Sequence, residues 1–336
     1  MKLKRFLAVF IGALTVSLSA SALAAKPTTF KFSNFAGPTS FLTTGIFEPL
    51  LEDIAADSDG TLKIQMYSGG TLVKPEDAFD AVRRGVVDMA WGLTGYTPGR
   101  FKAAGVTEFP FQAANVAEGS SGVWALYEAG LMDGLDDVYV FGLASSAVGL
   151  LHSGREITSL DDLKGERVRA AGPLVSASIE ELGLTPVGLP ASQVAENLSK
   201  RVLAGSVNDW VAMYAWQIAD SVKWHVDVPL GAATAFVVIN KKKFDRLPEE
   251  AKAALTKHSG SAFVERWSSS LETENDRIKQ EILADEDHKL ITPSAEDLAR
   301  YQESVKKVIN EWVATTPNGE KIWETYTQAI EDVRAK

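Results

Sequence analysis

Four histidines are the side chains of this sequence with the widest chemical range, because imidazole serves as a general base, a proton carrier and a metal ligand. They are His152, His225, His258 and His288. None lies three or four residues from another, so no pair shares a helix face as a helical metal-binding pair does. The chain contains no cysteine, which excludes thiolate zinc sites, iron–sulfur clusters, disulfides and cysteine nucleophiles. We therefore expect no metal site built on histidine or cysteine.

Serine nucleophiles and nucleotide-binding loops have recognisable glycine patterns, and the sequence lacks them. The nearest pattern, 119–122 (GSSG), has neither the G-x-S-x-G spacing nor a strand pattern before it. Acidic clusters such as 285–287 (DED) are typical of solvated surface. Carboxylate pairs for acid–base catalysis form only in three dimensions, so they stay open here. The sequence predicts no catalytic residue, no cofactor and no enzyme activity.

The composition sets limits on the partners. The chain has 336 residues, 46% hydrophobic and 23% charged, which is ordinary for a globular protein and sufficient for one large or two medium domains. The 44 acidic side chains outnumber the 34 basic ones, for a net charge of −10. Because clustered Lys and Arg drive nucleic-acid binding, this balance argues against a nucleic-acid partner. An anionic ligand must meet positive charge placed locally.

Residues 1–24 have the pattern of a secretory signal peptide. Basic residues stand at positions 2, 4 and 5, an apolar run follows to about residue 18, and 22–24 read ALA. The alternative is a membrane anchor, but the run is shorter than the ~20 residues that a spanning helix needs. We expect cleavage before Ala25 and an exported, soluble protein of the periplasm.

Strand and helix patterns alternate through the first two hundred residues, as they do in α/β domains. Residues 29–34 (TFKFSN) and 62–67 (LKIQMY) alternate as strands do, with an amphipathic helix pattern at 41–56 between them. A second round has strand patterns at 167–170 and 205–211 and helix patterns at 173–182 and 192–201. Two α/β lobes of similar plan follow from this organisation.

The last quarter of the chain is helical in pattern. Residues 248–285 predict a long helical stretch with a kink near 259–260, followed by helices at 295–313 and 319–334. A stretch so much longer than an average helix is able to brace more than one lobe. No low-complexity linker occurs, so we expect the chain to cross between the lobes more than once. Ligands in such folds usually bind in the crevice at the strand ends.

Five short motifs resemble those of the solute-binding proteins of tripartite ATP-independent periplasmic (TRAP) transporters, the dicarboxylate-type receptor family. In chain order they are 82–88 (VRRGVVD), 95–101 (GYTPGRF), 160–172 (LDDLKGERVRAAG), 198–205 (LSKRVLAG) and 236–247 (FVVINKKKFDRL). Each motif alone is weak, but five in order behind a signal peptide are specific. The likeness runs from about Phe30 to Ala253.

The resemblance implies a two-lobed periplasmic binding protein fold of the α/β class, with crossing strands and a long lobe-spanning helix. We expect 25–148 plus 234–277 to form lobe I and 149–233 plus 278–336 to form lobe II. The implied function is a receptor that closes over a small organic acid and delivers it to TRAP membrane permease subunits. A metal ion bridging the ligand, as in some relatives, and the oligomeric state stay open.

The family's central ligand group is an arginine at the end of a lobe II strand, and it matches Arg169. A guanidinium suits this role because its planar fork holds a carboxylate through charge-assisted hydrogen bonds. The alternative for Arg169 is a surface salt bridge. Arg167 lies on the same strand face but matches a variable basic position.

Two further ligand positions fall after the next strand. In many members an asparagine there matches Asn208, and in another branch a tryptophan matches Trp210, for which core packing is the alternative. This chain departs from the family pattern with Arg201 in place of Gly, Ala204 in place of Asp and Asp209 in place of Pro. The backbone conformation of this segment is therefore left open.

The rest of the resemblance predicts an apolar pocket. Where sialic-acid-binding members have an asparagine, a glutamate and a second arginine, this chain has Phe35, Leu93 and, approximately, Gly149. Such a pocket would leave a sugar's hydroxyls unpaired, at about 1–3 kcal/mol each, and would favour an apolar or aromatic body. A small hydrophobic or aromatic organic acid, or a 2-oxo acid, fits it best. The predicted contacts to that body are Phe35, Trp91, Leu93 and Trp210, with Tyr214, Trp216 and Phe236 as further members. No second cation for a C4-dicarboxylate is evident.

Two other functions compete with this hypothesis. The first is a receptor for an ATP-driven importer or a ligand sensor for a membrane kinase, which a neighbouring ATPase gene would support. The second is a periplasmic enzyme on a two-lobed scaffold, which turnover of a bound acid would support. The missing nucleophile and metal motifs weigh against the enzyme.

Overall fold

The computed structural model describes residues 27–336, so the predicted signal peptide lies outside the described residues. The described residues form two sheets. The strands are β1 Thr28–Ser33, β2 Leu62–Tyr67, β3 Met89–Leu93, β4 Val138–Ser145, β5 Leu150–Ser153, β6 Arg167–Ala170, β7 Thr185–Gly188, β8 Gly205–Asn208, β9 Trp224–Val226, β10 Thr234–Asn240 and β11 Lys289–Ile291. The two sheets confirm the predicted α/β class.

The helices cover the faces of the sheets and link them. They are α1 Glu48–Asp57, α2 Ala78–Arg83, α3 Val116–Glu128, α4 Pro173–Glu181, α5 Val194–Ser199, α6 Trp210–Ala215, α7 Lys241–Phe244, α8 Glu249–His258, α9 Ser261–Ala284, α10 Ala295–Thr315 and α11 Gly319–Arg334. A π-helical stretch, Leu42–Phe47, leads into α1, and short 3₁₀ turns include Thr94–Tyr96 and Ala103–Glu108.

The first sheet has the strand order β2-β1-β3-β10-β4 and forms the first lobe. β1 is parallel to β2 and β3, whereas β10 runs antiparallel to β3 and β4. All seven residues of β10 are buried, as expected for a strand that lies between two others and is covered on both faces. Leu93 and Ser145, at the carboxyl ends of β3 and β4, lie at the same edge as the start of β10.

The second sheet has the order β11-β9-β5-β8-β6-β7 and forms the second lobe. β6 is parallel to β7 and β8, and β5 runs antiparallel to β8 and β9. Asn208, the last residue of β8, pairs with Leu150, the first residue of β5. The carboxyl ends of β6 and β8 therefore lie beside the chain that enters from the first lobe.

Within residues 27–336 four connections join the lobes, the last of which is the short link 316–318 between α10 and α11. Residues 146–149 lead from β4 into β5, and residues 227–233 return from β9 to β10. The third is α9, whose 24 residues contact α3 and β4 on the first-lobe side and α6 on the second-lobe side. This is the predicted lobe-spanning helix. The predicted kink is a complete break, because Gly260 has φ of +63° and ends the pattern between α8 and α9.

The C-terminal helices divide between the two lobes. α10 packs on α4 of the second lobe, whereas α11 packs on α3 of the first. The chain was expected to stay in lobe II from residue 278 onward, and the domain boundaries stay a prediction. No helix among residues 27–336 is long and apolar enough to cross a membrane.

The strand predicted at 205–211 was too long, since β8 ends at Asn208. The Asp209 carboxylate accepts a hydrogen bond from the Ala212 N–H (2.8 Å), so Asp209 is the N-cap of α6 and Trp210 begins a helix. Arg201, another departure from the family pattern, keeps a glycine-like backbone with φ of +56°. A left-handed conformation at a non-glycine residue costs about 1–2 kcal/mol, which the surrounding structure must offset.

Candidate functional site: a cleft with a polar cavity and an aromatic cavity

The site lies between the lobes, at the strand ends that the fold brings together. Two adjoining cavities of about 70 and 60 Å³ occupy it. The first, here called the polar cavity, is lined in part by Arg169, Asn208, Asp209, Ser146 and Leu93. The second, the aromatic cavity, is lined in part by Phe35, Trp91, Tyr96, Trp216 and Trp267. These volumes are far below the ~300–1,000 Å³ typical of sites for drug-sized molecules, so they favour a small ligand.

Arg169 is the charged centre of the polar cavity and is only 2% exposed. Its Nε donates to the Leu189 carbonyl (3.0 Å) and its Nη1 to the Val207 carbonyl (3.1 Å). Among residues 27–336 no carboxylate oxygen lies within 4.0 Å of the guanidinium. Burial lowers the pKa of Arg169, but guanidinium remains charged in proteins. The hydrogen-bond partners of this buried cation are all neutral, and Asp209 acts on it only from beyond ion-pair distance. An anion bound in the cavity would complete its surroundings.

Asn208 and Tyr96 complete the surroundings of this guanidinium. The Asn208 amide satisfies its neighbours when its oxygen accepts from Arg169 Nη1 (3.0 Å) and its nitrogen donates to the Val207 carbonyl (3.2 Å). The Tyr96 hydroxyl oxygen accepts from the Ala191 N–H (2.9 Å) and, at a long 3.4 Å, from Arg169 Nη2. Within residues 27–336, one hydrogen of Nη2 has no protein acceptor and the hydrogen of the Tyr96 hydroxyl is available to donate.

Asp209 places a carboxyl group in the same cleft, lining both cavities. Burial raises the pKa of Asp209 to about 6, against the opposing effects of the Ala212 N–H and the Arg169 charge. An ionised Asp209 would repel a carboxylate on Arg169. The ligand affinity should therefore depend on the protonation of this residue near neutral pH.

The aromatic cavity is built from stacked rings. Phe35 is stacked on Trp91, with ring centroids 4.2 Å apart, and on Trp216, with centroids 5.0 Å apart and planes 4° apart. Trp91 is held by a hydrogen bond from its Nε1 to the Asn34 side-chain oxygen (2.6 Å). Rings fixed in this way present flat apolar surface, which suits another flat apolar group.

The structure brings together Arg169, Asn208, Phe35, Trp91 and Leu93 among the residues predicted for the site. Trp216, named as a further member, joins them. The predicted site residues Trp210, Tyr214 and Phe236 line neither cavity.

Each of these three side chains has a different position. Trp210 is 2% exposed and packs on the rings of His152 and His225. Phe236 is 1% exposed in the first-lobe core. Tyr214 is 40% exposed beside a separate surface groove. Trp210 lies outside the cavities because it begins α6 instead of continuing the strand β8.

Sequence reasoning missed Tyr96, Ser146 and Trp267 and treated Asp209 only as a departure from the family pattern. Tyr96 lies within 95–101, one of the five motifs, so a signal for it existed. Ser146 follows β4 and Trp267 lies on α9, and neither is marked by its neighbours in sequence. Their place in the cleft depends on the lobes meeting.

A second contact between the lobes lies beside the cleft. Glu108 of the first lobe is 2% exposed, and its carboxylate accepts from the backbone N–H groups of Leu174 (2.8 Å) and Val175 (3.3 Å) at the start of α4. Burial raises the pKa of Glu108 to about 7, although these two hydrogen bonds oppose the shift. Together with Tyr96, this carboxylate joins the lobes in the described conformation. Among residues 27–336 no cluster of three or more His, Asp or Glu side chains is arranged to hold a metal ion.

A two-lobed α/β protein with a buried arginine between its lobes has the architecture of a solute receptor. The family model for bacterial extracellular solute-binding proteins, family 7 (DctP), matches residues 32–316. The chain belongs to this family.

Two relatives match about three quarters of the chain. The chain is 25% identical over 252 residues to the outer membrane transporter protein TsaT of Comamonas testosteroni, covering 72% of this chain and 73% of that protein. It is 26% identical over 271 residues to the C4-dicarboxylate-binding periplasmic protein DctP of Rhodobacter capsulatus, covering 76% and 78%.

Among solved structures, the chain is similar to a TRAP solute-binding protein from an unidentified marine microbe. That protein is described as specific for aromatic acid ligands, and its structure is of the complex with metahydroxyphenylacetate. The TM-score is 0.87 at 26% identity, covering 91% of this chain and 99% of that one. The predicted recognition, fold class and receptor function are thus confirmed. The chain is an extracytoplasmic solute receptor of the TRAP type, a class that works with membrane permease subunits, and not an enzyme.

Proposed function

We propose that this receptor binds a small monocarboxylic acid with a flat aromatic or apolar body. The carboxylate would lie in the polar cavity on Arg169 Nη2 and the Tyr96 hydroxyl, with Asn208 holding the guanidinium from the side. The observation that carries the proposal is the buried Arg169 guanidinium, which forms no ion pair within the described part of the chain and lies adjacent to stacked rings. A guanidinium and a hydroxyl together supply the charge-assisted hydrogen bonds that a carboxylate requires.

The body of the ligand would lie against Phe35, Trp91, Leu93 and Trp216. Apolar area removed from water contributes roughly 25 cal/mol per Å², and ring stacking adds about 0.5–1.5 kcal/mol. The likeness to a receptor described as specific for aromatic acids supports this ligand class.

A C4-dicarboxylate, which the name of the Rhodobacter capsulatus relative implies for that protein, fits the cleft less well. Its second carboxylate would need another cation, and the side chains lining the two cavities include only one, Arg169. Instead of a second cation, Asp209 adds a carboxyl group to the lining of the polar cavity.

We further propose that residues 1–24 are a signal peptide that directs the chain to the periplasm. Fractionation of cells expressing the full sequence tests this, with N-terminal sequencing of the periplasmic protein. A mature protein starting at Ala25 is expected. Retention of the intact N-terminus on the membrane would contradict the proposal.

The ligand class is tested by a thermal-shift screen of the purified protein against organic acids, sugars and amino acids. A ligand at about 100 times its Kd stabilises the folded state by about 2.7 kcal/mol, which raises the melting temperature measurably. We expect shifts with aromatic or branched monocarboxylates and none with sugars. Shifts confined to sugars or dicarboxylates would contradict the assignment of Phe35 and Leu93 to the ligand body.

A further inference from the structure

Three histidines form a continuous hydrogen-bonded chain inside the second lobe, far apart in sequence but joined by the sheet. β5 and β9 place His152 opposite His225, and the Nδ1 atoms of the two rings are 2.7 Å apart. His225 Nε2 lies 2.9 Å from Nδ1 of His288, just before β11. Beyond His288, its Nε2 lies 3.1 Å from the Lys223 ammonium. At the other end, His152 Nε2 lies 2.9 Å from the Asn208 backbone carbonyl.

The two ends of this chain determine its protonation. A carbonyl oxygen only accepts hydrogen bonds, so His152 Nε2 must carry a hydrogen, whereas an ammonium only donates, so His288 Nε2 must be bare. Three neutral rings satisfy both ends in a single arrangement. His288 donates from Nδ1 to His225 Nε2, and His225 donates from Nδ1 to His152 Nδ1. Every hydrogen bond then points from Lys223 toward Asn208.

The burial of the rings agrees with this neutral arrangement. His152 and His225 are fully buried, and burial lowers the pKa of His152 to about 4. Burial also lowers the pKa of His225, with the two neighbouring imidazoles adding to the effect. A proton added to His152 would set two N–H groups against each other across the 2.7 Å contact, which the geometry forbids without rearrangement.

The inner end of the chain is attached to the polar cavity. The Asn208 carbonyl belongs to the peptide that leads to Asp209, and both side chains line that cavity. Because a trans peptide is planar, holding the carbonyl toward His152 fixes the plane of the whole Asn208–Asp209 peptide. The preceding carbonyl, Val207, accepts from Arg169 Nη1. Trp210 packs on both inner rings, so the segment is fixed from behind.

We propose that His152, supported by His225 and His288, is a positioning residue for ligand binding: it holds the Asn208–Asp209 peptide in the orientation that the polar cavity requires. It does not touch the ligand. From the sequence these histidines were considered only as metal ligands. In this proposal they act instead by fixing the direction of a series of hydrogen bonds. The part of this inference that concerns the ligand rests on the proposed function.

The test compares His152→Leu with His152→Gln, with benzoate as the probe in calorimetric titrations. A glutamine amide has a donor nitrogen and an acceptor oxygen, much as neutral imidazole has a donor and an acceptor nitrogen, so it is able to retain both links. We expect benzoate to bind about tenfold more weakly to His152→Leu and at nearly wild-type strength to His152→Gln. The control is His258→Gln, a histidine bonded to Asp57 on the first-lobe side, which should leave the affinity unchanged. Equal binding by wild type and a folded His152→Leu would overturn the proposal.

A second measurement uses the wild-type protein without ligand, so it does not depend on whether a variant folds. Long-range ¹H–¹⁵N spectra of the wild-type protein at neutral pH report which ring nitrogens carry hydrogen. The proposal requires His152 protonated at Nε2 alone and His225 and His288 at Nδ1 alone. A His152 that is charged, or protonated at Nδ1, would overturn it. If the wild-type protein binds no organic acid, the proposed function fails. The histidine assignment is then judged by these spectra and by hydrogen exchange of the Asp209 amide, which should be faster in His152→Leu than in wild type.

Discussion

The polar cavity and the aromatic cavity adjoin each other but are built on different principles. In the polar cavity, the Arg169 guanidinium is hydrogen-bonded to Asn208 and to backbone carbonyls, and at the border with the aromatic cavity it contacts the Tyr96 hydroxyl. In the aromatic cavity, Phe35 is stacked on Trp91 and on Trp216. Hydrogen bonds are directional and fail when one atom is lost, whereas stacking scales with area and declines gradually.

This difference assigns separate tasks to the two cavities. The polar cavity should decide whether an acid binds, and the aromatic cavity should decide which acid binds best. Changes of one or a few atoms in the first should therefore act through charge and hydrogen bonding. Changes in the second should act in proportion to the apolar area removed.

The largest effect is expected from Arg169→Ala. Removing one partner of a buried charge pair costs about 2–5 kcal/mol, so acid binding should weaken by roughly 30-fold or more. Calorimetric titration with benzoate measures the loss. Arg169→Lys keeps the charge but not the planar group and should also bind poorly. Arg167→Ala is the matched control, because this arginine lies two residues away on the same strand but is exposed. Equal losses in both alanine variants would refute the role of Arg169.

The next largest effect is expected from Trp216→Ala, which removes one of the two rings stacked on Phe35. A truncated aromatic anchor typically costs about 2 kcal/mol or more at a binding site. The loss should be large for benzoate and small for acetate, since acetate has no ring to stack. Trp216→Phe, which keeps a ring, should recover most of the affinity for benzoate. A loss that is the same for both acids would place Trp216 outside the contact with the ligand body.

Tyr96→Phe should produce a smaller effect, because it removes one hydroxyl and keeps the ring. A hydrogen bond to a charged group contributes about 1.5–3 kcal/mol, so we expect roughly tenfold weaker benzoate binding. Tyr214→Phe removes the same atom from an exposed tyrosine outside both cavities and should change nothing. A larger loss in Tyr214→Phe than in Tyr96→Phe would shift the site toward the surface groove.

The smallest effect is a pH dependence due to Asp209. Its pKa is raised to about 6, so its carboxyl is mostly ionised at pH 7.5 and mostly neutral at pH 5.5, whereas an aromatic acid ligand stays ionised. Repulsion between the two carboxylates is therefore relieved as the pH falls, and benzoate should bind a few-fold more tightly at pH 5.5.

Asp209→Asn tests the origin of this dependence, because it should remove the part that Asp209 contributes. Glu108, with a pKa of about 7, titrates in the same range, so its contribution is measured separately with Glu108→Gln. Binding that weakens as the pH falls in wild type but not in Asp209→Asn would contradict the sign of the effect.

The sequence predicted local structure well where local signals decide it. The strands Leu62–Tyr67 and Arg167–Ala170 and the helix Gly319–Arg334 begin and end where their patterns indicated. The strand at 205–211 was predicted too long because the cap formed by the Asp209 side chain was not recognised. That one hydrogen bond starts α6 and accounts for the position of Trp210, which packs behind the cleft.

The site was predictable only in part, for a physical reason. Arg169 and Phe35 match positions in a family pattern, but the Tyr96 contact with Arg169 joins residues 73 positions apart. The histidine chain similarly joins residues 73 and 63 positions apart. Spacing along a helix or strand does not predict such contacts, because they exist only once the strands have paired.

The central claim is that the polar cavity holds a carboxylate and the aromatic cavity a flat apolar body. Calorimetric titration of the wild-type protein with benzoate, benzamide and succinate tests it most directly. Benzamide keeps the ring without the charge, and succinate keeps the charge without the ring. We predict that benzoate binds clearly more tightly than either. Equal binding of benzamide would contradict the role of the Arg169 charge, and tighter binding of succinate would contradict the aromatic cavity as the site of the ligand body.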